Sequence, residues 1–408
     1  MSILSFGARR QLAFALIFEI AMKAVVCHQG QLSVETLPEP TPAEHQVLLD
    51  VIRCGICGSD LHARHHCNNL AHASENAGLP GLMKFDQQVV MGHEFCGEVL
   101  ELGPKASRKI KPGTRVCALP FINHNNNIEL TGFSERVTGA YAERVLAEDI
   151  MMMPIPNGLS SDIAALTEPM AIGWHAVNRA EVCRKDVAVV VGCGPVGLAI
   201  ICALKAQGVA RIIASDFSPK RRALAEQCGA DVVIDPARNT PFSSWKELGL
   251  TTRVDSLLSD AIDARRNMEK LPIPWWHLWR LADKVGATAI KRPVIFECVG
   301  VPGLLNNLIE QAPIQSRIVV VGVCMESDKI QPAFAINKEI DMRFVIGYTP
   351  LEYRDTLHLL ANGKLNAEPL ITGTVGLEGV DNAFDALADP ELHAKILIDP
   401  RSPEKTPA

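Results

Sequence analysis

Val187-Ala188-Val189-Val190-Val191-Gly192-Cys193-Gly194-Pro195-Val196-Gly197 is the stretch on which the fold of this chain turns. Its five leading apolar residues read as a strand buried on both faces, the parallel kind. Gly-x-Gly-x-x-Gly follows at once, and an apolar run to residue 206 then reads as a helix. Three spaced glycines alone are a weak signal and fit any strand-to-helix turn. Between a buried strand and a helix they mark a turn that cradles a dinucleotide pyrophosphate. Gly192 permits the tight turn, Gly194 lets backbone approach the phosphates, and Gly197 lets helix and strand close together. Pro195 and Val196 complete the turn, and N–H groups at the helix start face the phosphates.

Outward from this turn, the strand Arg211–Ser215 ends at Asp216. An acid there accepts hydrogen bonds from ribose hydroxyls and repels a 2′-phosphate, which favours NAD over NADP. Arg221 and Arg222 follow and soften that preference. Strand and helix patterns then alternate through 219–228, 231–234, 294–298, 303–311, 317–323 and 341–346, the rhythm of a doubly wound parallel sheet. Residues 237–291 break the rhythm, being far longer than a connection needs. Helical patterns at 254–268 and 275–285 lie inside this insertion, the second carrying Trp275, Trp276 and Trp279. The cluster is expected to pack on the body of the molecule or to form an oligomer contact, in preference to a lid.

Before residue 186 the pattern is different. Short β-type runs separated by Gly, Pro and polar clusters fill residues 22–150 and suit a small barrel. Residues 63–90, rich in His, Asn and Gly, read as a long loop. Residues 154–175 read as a turn followed by a helix. Residues 1–21 place Arg9 and Arg10 before an apolar run, the outline of a signal sequence, but Glu19 follows directly and no small-x-small cleavage site does. Met22-Lys23-Ala24-Val25-Val26 reads as a strand opening from a methionine, so 1–21 is expected to be an N-terminal extension.

Composition narrows the function classes. Hydrophobic residues make up 48% and charged residues 21% of the 408, which excludes a disordered tail protein or a coiled coil. A net charge of −6 gives the chain no reason to seek nucleic acid. No apolar run reaches the roughly 18–20 residues of a membrane span. Twelve cysteines are too dilute for a disulfide scaffold, and several sit in apolar segments, so a reducing, cytoplasmic setting is expected.

Metal-binding chemistry gathers in the first half. Cys57-Gly58-Ser59-Asp60-Leu61-His62 offers a thiolate, a hydroxyl, a carboxylate and an imidazole; His93-Glu94 and Glu168-Pro169 add an imidazole and two acids. Zinc takes S, N and O ligands in a tetrahedron, and a catalytic site keeps one position open. Each piece alone reads as a buried Cys, a core His or a salt-bridged Glu. Their occurrence beside a dinucleotide turn is what gives them meaning.

These residues together resemble the zinc-dependent medium-chain dehydrogenases/reductases of the alcohol and polyol group, with sorbitol-, butanediol- and threonine-dehydrogenase-like members. The matching motifs are 54–62, 92–94, 168–171, 191–197, 359–364 through 369–372, and 395–400, so the resemblance spans nearly all of 22–400. It implies an α/β chain with a GroES-like β-rich catalytic domain over 22–175, completed by about 347–408. A Rossmann NAD-binding domain fills 176–346, with the insertion at 237–291. Cys57 and His93 match zinc ligands of the family, while the third protein ligand is Glu94 or Glu168. Ser59 and His62 match a proton relay that runs through a cofactor ribose hydroxyl, and Asp60 resembles an acid that braces the site. Val299, Gly322 and Val323 fall where relatives line the nicotinamide pocket. Many relatives carry a structural zinc lobe of four cysteines after the Gly-Thr-Arg-Val strand. Here only Cys117 remains, so one catalytic zinc and no structural zinc are expected.

The resemblance implies an NAD-dependent, zinc-containing enzyme that passes a hydride between a secondary alcohol or polyol and NAD, or back from the matching ketone or aldehyde. A homodimer or homotetramer acting on a small molecule is expected. The alternatives are an NADPH-preferring carbonyl reductase, against which Asp216 argues, and a non-catalytic binding protein, against which the presence of Cys57 and His93 argues.

Overall fold

The computed structural model describes residues 21–407, less 157 and 244. The extension expected over 1–21 thus lies outside the described residues except for Ala21, which opens the first strand.

The first lobe contains β1 (Ala21–His28), β2 (Gln31–Pro38), β3 (Gln46–Gly55), α1 (Gly58–Asn76), β4 (Gln88–Val90), β5 (Glu94–Leu102), β6 (Arg115–Ala118), β7 (Phe121–His124), β8 (Asn127–Leu130), β9 (Arg144–Glu148) and β10 (Met152–Pro154). Helices α2 (Ser161–Ala165) and α3 (Thr167–Arg179) lead out of it. The second lobe contains β11 (Val187–Val191), α4 (Pro195–Gln207), β12 (Arg211–Ser215), α5 (Pro219–Cys228), β13 (Val232–Ile234), α6 (Val254–Glu269), α7 (Trp275–Lys284), β14 (Val294–Glu297), α8 (Leu304–Gln311), β15 (Arg317–Val320), α9 (Pro332–Asn337) and β16 (Asp341–Phe344). The chain returns through α10 (Pro350–Ala361), β17 (Ile371–Val375), α11 (Val380–Ala388) and β18 (Lys395–Ile398).

Strands of the second lobe run parallel in the order β13-β12-β11-β14-β15-β16. The order reverses between β11 and β14, and in such sheets ligands sit beyond the carboxyl ends at that switch point. The apolar runs buried on both faces of β11, β12 and β14 are the reason these strands are central. The first lobe is mainly antiparallel: β10-β6-β5-β3 continues into β18-β17, with β9 also on β3. Strands β17 and β18, from the end of the described chain, therefore complete the sheet that β3 belongs to, while β1, β2 and β4 form a separate small sheet. Gly173 lets α3 lie directly against α4, since an added Cβ would stand 2.7 Å from the Ala199 backbone.

Two expectations are corrected. The stretch 63–90 is not all loop: α1 runs from Gly58 to Asn76, bent at His66, and buries Ala63, Cys67 and Ala71 on one face. Nor does the tryptophan cluster pack on the body, the first of its two expected roles; the other, an oligomer contact, needs a second chain. No residue of α6 or α7 is buried; Trp275 makes edge contacts with Trp276 and Trp279, and Arg265 lies over the Trp275 ring at 4.8 Å. The start of the insertion covers the sheet instead, through Phe242, Trp245 and Leu250.

Candidate metal and coenzyme site

Cys57 follows β3 and caps α1, and its N–H donates to Asp60 Oδ2 at 2.9 Å. His93 and Glu94 stand at the start of β5, which pairs with β3, so strand register brings the two motifs together. Ligand atoms of Cys57, His93 and Glu94 all lie within 4.8 Å of one another. Among the described residues this is the one group of three or more Cys, His, Asp or Glu so placed.

Asp60 is fully buried below the group. Its Oδ2 also accepts from the Tyr141 hydroxyl at 2.6 Å, while Oδ1 faces His93 Nδ1 at 3.3 Å. Both facing atoms are buried and otherwise lack a hydrogen-bond partner. A metal held by the far ring nitrogen would leave the proton on Nδ1, which is the tautomer this carboxylate can hold. Burial alone would lower the His93 pKa, but Asp60 and then Cys57 hold it well above its ordinary value. Burial, and next the Glu94 charge, raise the Cys57 thiol. A divalent ion relieves this tension, because it favours the thiolate and takes a neutral imidazole. The donor set S, N, O suits zinc.

Glu168 sits in the first turn of α3, buried, with Tyr348 hydrogen-bonded to its carboxylate. Burial, helped by the Glu94 charge, pushes its pKa up to about 7. Glu94 itself is fully buried, and both its oxygens accept from Lys395 Nζ, at 2.8 and 2.7 Å. Burial would lower the Lys395 pKa, but Glu94 and then Cys57 keep it raised, so the ammonium persists. Ser59, half-buried, and His62, exposed, lie one turn apart on α1. Phe133 packs on the His93 ring at 5.0 Å.

The coenzyme turn has the shape its glycines require. Gly192 has φ +92°, and a Cβ on Gly197 would stand 1.9 Å from the Gly192 carbonyl oxygen. A Cβ on Gly194 would meet nothing nearer than Arg221 Nη1 at 4.0 Å, leaving open space before α4. Gly194 caps that helix without a side-chain bond, and Pro195 is its first residue, so its leading N–H groups remain for an anion. Asp216 closes the turn: its carboxylate accepts from Cys193 N at 2.7 Å and Ser218 N at 2.8 Å. Each carboxylate oxygen has a lone pair left for a ribose hydroxyl. Arg222 is spent on the Asp216 and Phe217 carbonyls and on Asp235. Arg221 faces the glycines and has a buried Nε without a partner. Val299 and Val323 are exposed beyond the carboxyl ends of β14 and β15, and Gly322 abuts the Glu297 carboxylate, which holds Val299 N and Gly300 N at 2.7 and 2.8 Å.

Tyr141, Phe133, Tyr348, Glu297 and Lys395 were not singled out by sequence reasoning as site residues. Lys395 did carry a signal, being a lone charge in the apolar strand Lys395-Ile396-Leu397-Ile398. After β6 the chain forms the β7–β8 hairpin, and Cys117 turns into the core, where its Sγ donates to Ala164 O at 3.1 Å.

Residues 43–157 match the alcohol dehydrogenase GroES-like domain, and 195–362 match the zinc-binding dehydrogenase family. The chain is 30% identical over 398 residues to the (R,R)-butanediol dehydrogenase of Bacillus subtilis (strain 168), covering 93% of this chain and 100% of that one. It is 26% identical over 389 residues to the sorbitol dehydrogenase of Bos taurus, covering 92% and 95%. The crystal structure of 2R,3R-butanediol dehydrogenase from Bacillus subtilis superposes with a TM-score of 0.70 at 28% identity, over 93% of this chain and 100% of that one. The chain therefore belongs to the zinc-dependent medium-chain alcohol and polyol dehydrogenases.

Proposed function

We propose that the chain oxidises a secondary alcohol or vicinal polyol with NAD, and reduces the matching ketone in the other direction. One observation carries the reading: ligand atoms of Cys57, His93 and Glu94 lie within 4.8 Å of one another, and Tyr348, four residues past the last strand of the parallel sheet, bonds Glu168. This supports a metal cluster that faces the coenzyme lobe. When bound, zinc supplies a Lewis acid for the substrate oxygen and the nicotinamide supplies the hydride acceptor. Asp60 holds the His93 ring through Nδ1, Phe133 packs on that ring, and Glu168 offers a buried carboxyl whose pKa burial raises to about 7. The Ser59 hydroxyl receives the proton from the substrate oxygen and hands it toward His62 at the surface. One zinc per chain is part of the reading, and metal analysis of the purified protein checks it.

NAD preference rests on Asp216. Asp216→Ala is expected to raise KM for NAD several-fold and to narrow the gap to NADP, while kcat changes little. Steady-state kinetics with both coenzymes read this, and an unaltered preference refutes the role. The free Arg221 guanidinium favours a second reading in which NADPH is also accepted; the same measurement decides it.

The proposal includes a cytoplasmic setting, supported by twelve cysteines that are all free thiols, with no nucleic-acid or membrane partner. Among the described residues no helix is long and apolar enough to cross a membrane. It also includes self-association. Strand β16 ends the parallel sheet with an open edge, and Phe344 and Ile346 beside it are exposed. Sedimentation should show a dimer or tetramer, and Phe344→Glu with Ile346→Glu should shift it toward monomer.

A further inference from the structure

Residues 254–285 hold eight of the twenty-two large apolar side chains that stand exposed among the described residues. The half-buried positions of α6 are Leu257, Ala261, Ala264 and Met268, a stripe at helical spacing. That stripe closes the hairpin against α7, and a second apolar row, Val254, Leu258 and Ile262, remains beside it in solvent. Between this row and α7 runs an apolar groove of about 540 Å³. Leu258, Ile262 and Arg265 wall one side of it, and Trp276, Trp279 and Arg280 the other. An exposed apolar surface with a polar rim marks a contact site, and Trp with Arg is the composition of the strongest contact residues. Two short helices gain most of their stability by packing such a face on further helices.

Charge selects the occupant. The groove walls hold two cations and no acid. Arg265 is spent on Glu269, an exposed pair of little worth, and Arg280 has no acid partner among the described residues. The complementary shape is an apolar helical ridge bordered by acids. α6 itself presents one: Asp255, Leu258, Ile262 and Glu269 share a face at helical spacing, and the helix carries four acids against two bases. About a two-fold axis, the ridge of α6 in one copy enters the groove of the other, and the reverse contact follows by symmetry. The same four acids disfavour an anionic lipid surface as the occupant.

We propose that the α6–α7 hairpin is a self-association surface that docks on the same hairpin of a second copy, making a four-helix contact. The insertion departs from β13, the sheet edge opposite β16, and returns at β14. The contact is therefore separate from the β16 edge, and two separate two-fold contacts build a tetramer. That last step rests on the self-association reading above and deepens it.

The test is sedimentation velocity of the full-length protein, with vesicle flotation alongside. The parent should be a tetramer. Leu258→Glu with Ile262→Glu should halve its mass, Phe344→Glu with Ile346→Glu should do the same, and all four together should give a monomer. Arg280→Glu should weaken the hairpin contact by about tenfold or more, the scale of an interfacial charge pair. If the doubly substituted α6 does not fold, Trp276→Glu reads the same contact from α7. Should the β16 reading alone fail, the parent is a dimer that Leu258→Glu with Ile262→Glu makes monomeric and the Phe344 and Ile346 substitutions leave intact. A parent mass unchanged by the α6 pair and by Trp276→Glu overturns the proposal, as does a monomeric parent. Flotation of the parent with phosphatidylglycerol vesicles, lost in Trp276→Glu, assigns the groove to lipid and overturns it too.

Discussion

Cys57 and His93 show how far single residues carry an assignment. Ligand chemistry is tied to residue type, so a thiol, an imidazole and acids in short motifs were legible before any geometry. Cys57→Ala or His93→Ala should each remove the metal and cut turnover by more than about a hundredfold, since even outer partners of a metal site cost 10–100-fold. NAD binding, followed by fluorescence titration, should survive, because the coenzyme turn belongs to a different lobe. Unchanged metal content in both variants contradicts the site. What the sequence concealed is partnership at long range. Lys395 meets Glu94 from 301 positions away, Tyr141 meets Asp60 from 81, and no local pattern announces such pairs. For the same reason the motifs alone left the choice between Glu94 and Glu168 open.

Elements were legible where their pattern was strong. The strand β11, its glycine turn and α4 follow from five apolar residues and three glycines whose spacing is sterically forced. Gly197→Ala drives a Cβ into the Gly192 carbonyl at 1.9 Å and should cost about 1–3 kcal/mol, the range for an overpacked interior. Urea unfolding checks it. Gly194→Ala is the contrast: its Cβ enters open space, so stability should hold while KM for NAD rises, because that space is where the pyrophosphate would lie. Equal unfolding midpoints for the two variants would contradict this division of roles. The helix α1 escaped notice for a physical reason. Its buried stripe is Ala63, Cys67 and Ala71, small residues among His and Asn that give little contrast between faces. The insertion was harder to read, as three tryptophans suggested packing on the body or an oligomer contact, and within one chain α6 and α7 bury no residue.

Across the whole molecule, the two lobes are joined where α10 returns against α3. The alternation of strands and helices foretold the parallel sheet, and the β-rich first part foretold the other lobe. The junction itself depends on contacts between distant segments, and Glu352 is its clearest case. Its Oε2 accepts from His175 on α3 at 2.8 Å and from the Thr349 N–H at 2.9 Å; its Oε1 accepts from Asn178 at 3.0 Å. Partial burial works to raise its pKa, but the bonds from Asn178, Thr349 and His175 outweigh it and lower the carboxyl from 4.5 to about 2. A carboxyl depressed on folding stabilises fully above its unfolded value, and that stabilisation drains away as pH falls through the folded one. Here the window runs from about pH 4.5 down to about 2. Exposure to solvent keeps the effect to about 1 kcal/mol. Glu352→Gln should therefore lower Tm by a constant amount at and above pH 6, and the gap to the parent should close steadily below pH 4.5. Thermal unfolding of both proteins across that range is the measurement. A gap that stayed constant down to pH 2.5 would show that the capping geometry, and not the carboxylate charge, secures the junction between the lobes.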